Sequence, residues 1–162
     1  MPGNKKSPSE STWEKIIFKF LGLDKYEFDE VAISRELAEN ICELAKKAHP
    51  KEFIALLRGN IRRIKQGDKN NKILVLESLV YQAYKSASDV AVILPHFMTH
   101  TDTVGSVHSH PGPSNTPSDA DKLFFSKNGM VHLIISRPYR REDIAMYAFD
   151  GRKIEYNIMD QE

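Results

Sequence analysis

The chain has 162 residues, 41% hydrophobic and 28% charged, a composition expected of one soluble globular domain and not of a disordered or fibrous chain. A single cysteine, Cys42, excludes an intramolecular disulfide framework, a cysteine-built zinc ribbon and an iron–sulfur cluster. The charge sum of 23 Lys and Arg against 22 Asp and Glu is +1, which argues against a nucleic-acid partner, and no run approaches the roughly 20 apolar residues of a membrane span; a cytoplasmic protein with no membrane partner is expected.

Residues 1–25 read as a polar leader, Met1 to Ser11, followed by an amphipathic helix. Trp13, Ile16, Ile17, Phe20 and Leu21 recur at i, i+3, i+4, i+7 and i+8 and form one stripe, with Gly22 as the stop. That stripe is expected to pack on the chain's own sheet, with a homodimer contact through the helix as the alternative reading. Residues 26–162 form the main domain. Its first helix takes Ser34 as N-cap and runs to about Ala48, with Leu37, Ile41, Leu44, Ala45 and Ala48 inward and Lys46 and Lys47 in the last turn, where the helix dipole favours cations. His49-Pro50 ends it.

Short runs rich in β-formers follow: Phe53 to Leu57, Ile61 to Ile64, Ile73 to Leu76, Val90 to Leu94 and Val104 to His108. Gly59-Asn60, Gln66 to Asn71 and Pro95 supply the turn signals between them. A third helix opens at Ser118 and stops before Gly129. Val131 to Ser136 reads as a buried strand, and Ile144 to Phe149 and Ile154 to Ile158 flank the hairpin signal Asp150-Gly151-Arg152. The pattern predicts an α/β or α+β fold, a sheet with about three helices.

The chemistry concentrates between Gly105 and Asp121. Residues two apart on a strand share a face, so His108 and His110 converge, and Pro111 ends the strand. The loop Gly112-Pro113-Ser114-Asn115-Thr116-Pro117 turns the chain back, and the helix opening at Ser118 brings Asp121 to the same point. Two imidazoles and a carboxylate with one open position form a catalytic zinc set, the open position holding a water whose pKa the ion lowers to about 7. Taken singly, each half has a plainer explanation. A lone His-x-His is more often a pair of half-buried histidines, and Ser118 with Asp121 is also a helix-capping box. Their joint occurrence across a rigid loop is what points to a site.

His108-Ser109-His110-Pro111, six residues, then Ser118-Asp119-Ala120-Asp121 resembles the His-x-His-Pro-x(6)-Ser-x-x-Asp signature of the JAMM (MPN+, JAB-domain) metalloproteases. Upstream, Glu52 to Gly59 is similar to that family's Glu-x-x-Gly-x-Leu-x-Gly strand, with Ala55 in place of the first glycine. The resemblance covers roughly residues 28–158 and implies a three-layer-like JAB/MPN domain, a mixed sheet flanked by helices, in the compact prokaryotic form. It implies one zinc ion per chain, held by His108, His110 and Asp121. It further implies Glu52 as general base and then acid, and Ser118 as a donor to the oxyanion. The implied substrate is the C-terminal Gly-Gly tail of a ubiquitin-like modifier or sulfur-carrier protein.

Without that motif Glu52 reads as a solvated residue after a helix-ending proline, and Glu77 is the substitute base, needing a partner of its own inside an apolar run. His49, His96, His100 and His132 read as structural or surface residues. Two other functions compete: a RadC-like nucleic-acid-associated protein, against which the charge balance argues, and a metal-free MPN scaffold module, which would have lost ligands that this chain keeps.

Overall fold

The computed structural model describes residues 28–66, 69–80 and 103–160. The expected leader, the Trp13 to Leu21 helix, the Val90 to Leu94 strand, Pro95, His96 and His100 lie outside the described residues. The first described element is a strand the sequence reading passed over, β1 (Glu30–Ser34), whose apolar run is only Val31-Ala32-Ile33. It feeds directly into α1 (Arg35–Ala48). Ser34 is the N-cap, its hydroxyl accepting from the Leu37 N–H at 3.1 Å, and Lys46 and Lys47 occupy the last turn. Leu37, Ala38, Ile41, Cys42 and Ala45 are buried, while Leu44 and Ala48 pack at the margin of the core.

The long strands β2 (Ile54–Gln66) and β3 (Lys69–Val80) form an antiparallel hairpin. Here the sequence reading is corrected. Gly59-Asn60 does not turn the chain; the two runs flanking it are one strand with a register shift between Arg58 and Gly59. A side chain at Gly59 would place its Cβ 2.7 Å from the Val75 carbonyl oxygen. The glycine therefore answers a close backbone approach at a bulge. At the far end pairing persists to Gln66↔Lys69, so the turn is shorter than Gln66 to Asn71.

Next come β4 (Thr103–His110), the short helix α2 (Asp119–Phe125) and β5 (Val131–Ser136). A 3-10 turn (Arg141–Asp143) leads to β6 (Ile144–Ala148), β7 (Lys153–Ile154) and β8 (Asn157–Met159). Asp150-Gly151-Arg152 does make the β6–β7 hairpin, with Gly151 at φ +79°. Among the described residues there are two α-helices, so the expected count of about three is not met within them.

Strand order is β7-β6-β5-β4-β2-β3-β1-β8, in one mixed sheet. The predicted strand Ile154 to Ile158 is in fact two pieces at opposite ends of that order. Only Glu155 and Tyr156 separate them, and three peptide steps span at most about 11 Å. The two edges must therefore approach each other, which curls the sheet. Core residues divide by strand parity. Val131, Leu133 and Ile135 join the main cluster with α1, Val31, Ile33, Leu57, Leu74 and Leu76. On the opposite face Ile134, Ala145 and Tyr147 enclose Phe125 of α2. No helix among the described residues is long and apolar enough to cross a membrane.

Candidate metal centre

Strands β4 and β5 run parallel at the middle of the sheet, His108↔Ile134 and His110↔Ser136. Alternation along β4 sends Val107 into the α1 core and leaves Ser106, His108 and His110 on the α2 face. After Pro111 the chain is tied down at several points. The Arg137 N–H donates to the Gly112 carbonyl at 3.0 Å, the Asn115 side-chain amide to the Asp143 carbonyl at 3.0 Å, and the Tyr147 hydroxyl to the Asn115 carbonyl at 2.9 Å. The loop thus delivers α2 with its first turn over the two histidines.

His108, His110 and Asp121 meet there and are the cluster among the described residues that could hold an ion, their ligand atoms within 4.8 Å of one another. The Nε2 atoms of the two histidines stand 3.1 Å apart. Asp121 Oδ1 lies 3.2 Å from His108 Nε2, and Oδ2 lies 3.5 Å from His110 Nε2. A tetrahedral ion with bonds of about 2.0–2.1 Å has ligand–ligand edges of about 3.3 Å. The two imidazole nitrogens are close to that separation, and each has a different oxygen of the Asp121 carboxylate near it. Nδ1 of His110 is 2.9 Å from the Ser114 carbonyl, which can only accept. Nδ1 therefore carries a proton and Nε2 is the ring atom turned to the cluster, a support typical of metal-binding histidines, with any Nε2 proton to be shed before that atom can ligate. Imidazole plus carboxylate donors suit zinc.

Electrostatics agrees with a cation site. Burial pushes the Asp121 carboxyl up, but bonds from His108, His110 and Ser118 outweigh it and hold the group far below the usual carboxylate range. The Asp121 carboxylate, together with the Ser114 carbonyl and the charge of Glu52, raises His110 above its ordinary value despite burial.

Ser118 caps α2: its hydroxyl accepts from the Asp121 N–H at 3.2 Å, and the Asp121 carboxylate accepts from the Ser118 N–H at 2.7 Å. The capping box is real, and it is also part of the site, because the Ser118 hydroxyl donates to Oδ2 of the same carboxylate at 2.7 Å. Glu52, half-buried, lies two residues before the start of β2. Ile54 pairs with His108 and the Ser109 N–H donates to the Phe53 carbonyl, so the same register carried one residue further brings Glu52 toward His110, whose pKa its charge helps to raise. Glu77 is excluded as a substitute base. It sits on β3, separated from β4 by β2, and its carboxylate accepts from Asn60 at 2.9 Å and Arg62 at 3.0 Å.

His49 and His132 are structural, as expected from the sequence. His49 is the C-cap of α1, bonded to the Tyr139 hydroxyl. His132 is fully buried and stacked on Phe125 with ring centroids 4.2 Å apart, and it shares a 2.8 Å bond with the Ser106 hydroxyl. Its Nε2 finds no hydrogen-bond partner among the described residues. Burial, then the nearby His108, push its pKa down to about 3. Between that value and its ordinary 6.5 the unfolded chain binds the extra proton, so stability is retained above 6.5 and falls with falling pH. We expect a loss of a few kcal/mol on acidification across that window. Urea melts at stepped pH check it: His132→Leu removes this slope, and an unaltered slope in that variant would refute the assignment. Sequence reasoning missed Ser114 as a ligand support, and also Ser106, whose position two residues before His108 on β4 was the available signal.

Three comparisons bear on this geometry. The chain matches the family model of prokaryotic homologs of the JAB domain over residues 34–149. It is 30% identical over 134 residues to a protein of Haloferax volcanii described as a probable metalloprotease, covering 80% of each chain. Among solved structures, one described as a JAMM metalloprotease-like zinc site in the proteasome and signalosome is 33% identical with a TM-score of 0.57, covering 81% of this chain and 99% of the other. A JAB1/MPN domain protein of Archaeoglobus fulgidus is 32% identical with a TM-score of 0.58, covering 81% of this chain and 98% of its own. A Desulfitobacterium hafniense protein, 21% identical with a TM-score of 0.57 over 82% of this chain and 93% of its own, shares the fold.

Proposed function

We propose, for a chain that belongs to the prokaryotic JAB-domain (JAMM/MPN) family, that it is a zinc-dependent metalloprotease acting after the C-terminal Gly-Gly tail of a ubiquitin-like modifier or sulfur-carrier protein. The observation that carries the reading is the convergence of His108, His110 and Asp121, their ligand atoms within 4.8 Å of one another, with the Glu52 carboxylate near enough to raise the pKa of His110. His108, His110 and Asp121 would hold one zinc ion per chain, which when bound would supply a Lewis acid able to activate water near neutral pH. Glu52 accepts a proton from the attacking water and returns it to the leaving amine. Asp121, anionic throughout the working range, and His110, fixed in one tautomer by Ser114, keep the donor set ready. All the ligands that a metal-free scaffold would have lost are present. Lone Cys42 is free and buried, which accords with a cytoplasmic location.

The tail specificity rests on sterics. A chain passing close to a metal at a sheet surface has room for main chain and little else, so glycines suit it and side chains do not. The test is an isopeptide-linked fusion ending in Gly-Gly on a lysine. We expect cleavage of that bond, and a fall of about 10²-fold in kcat/KM when the last glycine becomes valine. Equal turnover of both substrates would identify a general peptidase instead.

Ser118 is assigned a second duty. Its hydroxyl points at Asp121, and it serves as oxyanion donor by turning toward the reacting carbonyl. Losing an N-cap serine costs about 1 kcal/mol of stability, whereas losing an oxyanion donor lowers kcat by about 10²–10³. Ser118→Ala is expected to show the larger kinetic effect with zinc retained; unaltered kcat in a zinc-loaded, slightly less stable protein would leave Ser118 a cap alone.

A further inference from the structure

Glu52 has no regular secondary structure of its own to hold it. It lies between the C-cap of α1 at His49 and the first residue of β2 at Ile54. A general base must nevertheless be held to within a fraction of an ångström, since about 1 Å of misplacement costs about 10² in rate. Two bonds on either side of it meet that need.

The first is made by Ser109, the residue between the two histidine ligands. Its N–H donates to the Phe53 carbonyl at 2.8 Å, one half of the exchange expected between opposed residues of an antiparallel pair. The other half is altered. The Phe53 N–H donates to the Ser109 hydroxyl at 2.8 Å. Ser109 is 0% exposed, and Phe53, on the α1 side of the sheet, is buried in the main core. The hydroxyl thus fastens the peptide joining Glu52 to Phe53 onto the strand segment that carries both histidines.

The second lies three residues before Glu52. The Tyr139 hydroxyl and Nδ1 of His49 share a hydrogen bond at 3.0 Å, and their rings pack edge to face at 5.9 Å. Tyr139 is 3% exposed and holds φ at +64°, a left-handed conformation that a bulky residue rarely adopts. The surrounding contacts keep it there: its N–H donates to the Ser136 carbonyl at 2.8 Å. Two residues earlier in the same connection, the Arg137 N–H holds Gly112 of the ligand loop. One segment therefore ties the base-bearing loop and the ligand-bearing loop together.

We infer that Ser109 and Tyr139 are positioning residues that pin Glu52 from both sides, Ser109 through the Phe53 N–H and Tyr139 through His49. The inference rests on the assignment of Glu52 as the base.

The test uses the full zinc-loaded chain with Ser109→Ala, Ser109→Thr and Tyr139→Phe, each made with Glu52 intact and with Glu52→Gln. Zinc affinity is measured by chelator competition, and kcat and KM on the Gly-Gly–lysine substrate. With Glu52 intact, Ser109→Ala is expected to lower kcat about 10–10²-fold, with KM within about twofold and zinc affinity unaltered. Ser109→Thr, which keeps the hydroxyl, restores most of the rate. Tyr139→Phe keeps the ring and lowers kcat by about 3–10-fold, and it carries the test alone if Ser109→Ala fails to fold. In the Glu52→Gln background neither variant lowers the residual rate further, because the group being positioned is gone. An equal fold-loss in both backgrounds, or a loss of zinc affinity, would make these residues general supports and overturn the inference. Wild-type kcat in Ser109→Ala and Tyr139→Phe beside an inactive Glu52→Gln overturns it alone. An active Glu52→Gln overturns the base assignment and the pin together.

Discussion

His108→Ala combined with His110→Ala is expected to abolish metal binding, while the wild-type chain is expected to retain one zinc through gel filtration. Two of three protein ligands are gone, and Asp121 alone does not close a tetrahedral site. The loss exceeds the 10–100-fold that removal of a mere supporting partner costs. Elemental analysis of the purified proteins reads it directly, and stoichiometric zinc in the double variant would sink the assignment. Wild-type zinc uptake also has a pH dependence of known sign. His110 must shed its proton to bind, and its pKa lies above the ordinary 6.5, whereas Asp121 stays ionised far into acid. Zinc affinity therefore weakens as pH falls through the His110 range, by about tenfold per pH unit for each proton displaced. Chelator competition at stepped pH follows it.

Glu52→Gln is expected to keep stoichiometric zinc and to bind the Gly-Gly substrate, while kcat falls by about 10²–10⁴. The amide preserves shape and cannot accept the proton. Metal content, substrate KM and kcat separate this result from misfolding, which would lower all three. Wild-type turnover in a zinc-loaded Glu52→Gln protein would require another base. Glu77 is not available for that role, since its carboxylate is engaged by Asn60 and Arg62 two strands away.

The pattern of success and failure in the sequence reading has physical causes. Helix α1 and the capping box of α2 were legible because caps and apolar periodicity act over three or four residues. The β6–β7 hairpin was legible because Asp-Gly has few other uses between strands. Gly59 was misread because the same residue serves a turn and a close approach, and only the Val75 carbonyl 2.7 Å from its missing Cβ distinguishes them. Strand β1 was too short to show a period, and Ile154 to Ile158 was read as one strand since nothing local says that its halves join different edges.

Within the site, residue types and spacing by themselves picked out the candidate metal set. A period of two on β4 puts His108 and His110 on one face, and a Pro/Gly loop of fixed length returns Asp121 as the third residue of a helix capped by Ser118. Tertiary structure alone decided the rest. Glu52 and Glu77 are both acids beside apolar runs, and the order β4-β2-β3 leaves the first at the start of the strand next to β4, where its charge acts on His110, and the second one strand further away. His132 is separated from its Ser106 partner by 26 residues and Tyr139 from His49 by 90. Contacts across such separations depend on strand register and sheet curl, which arise only when the whole core packs, so no window of sequence contains them.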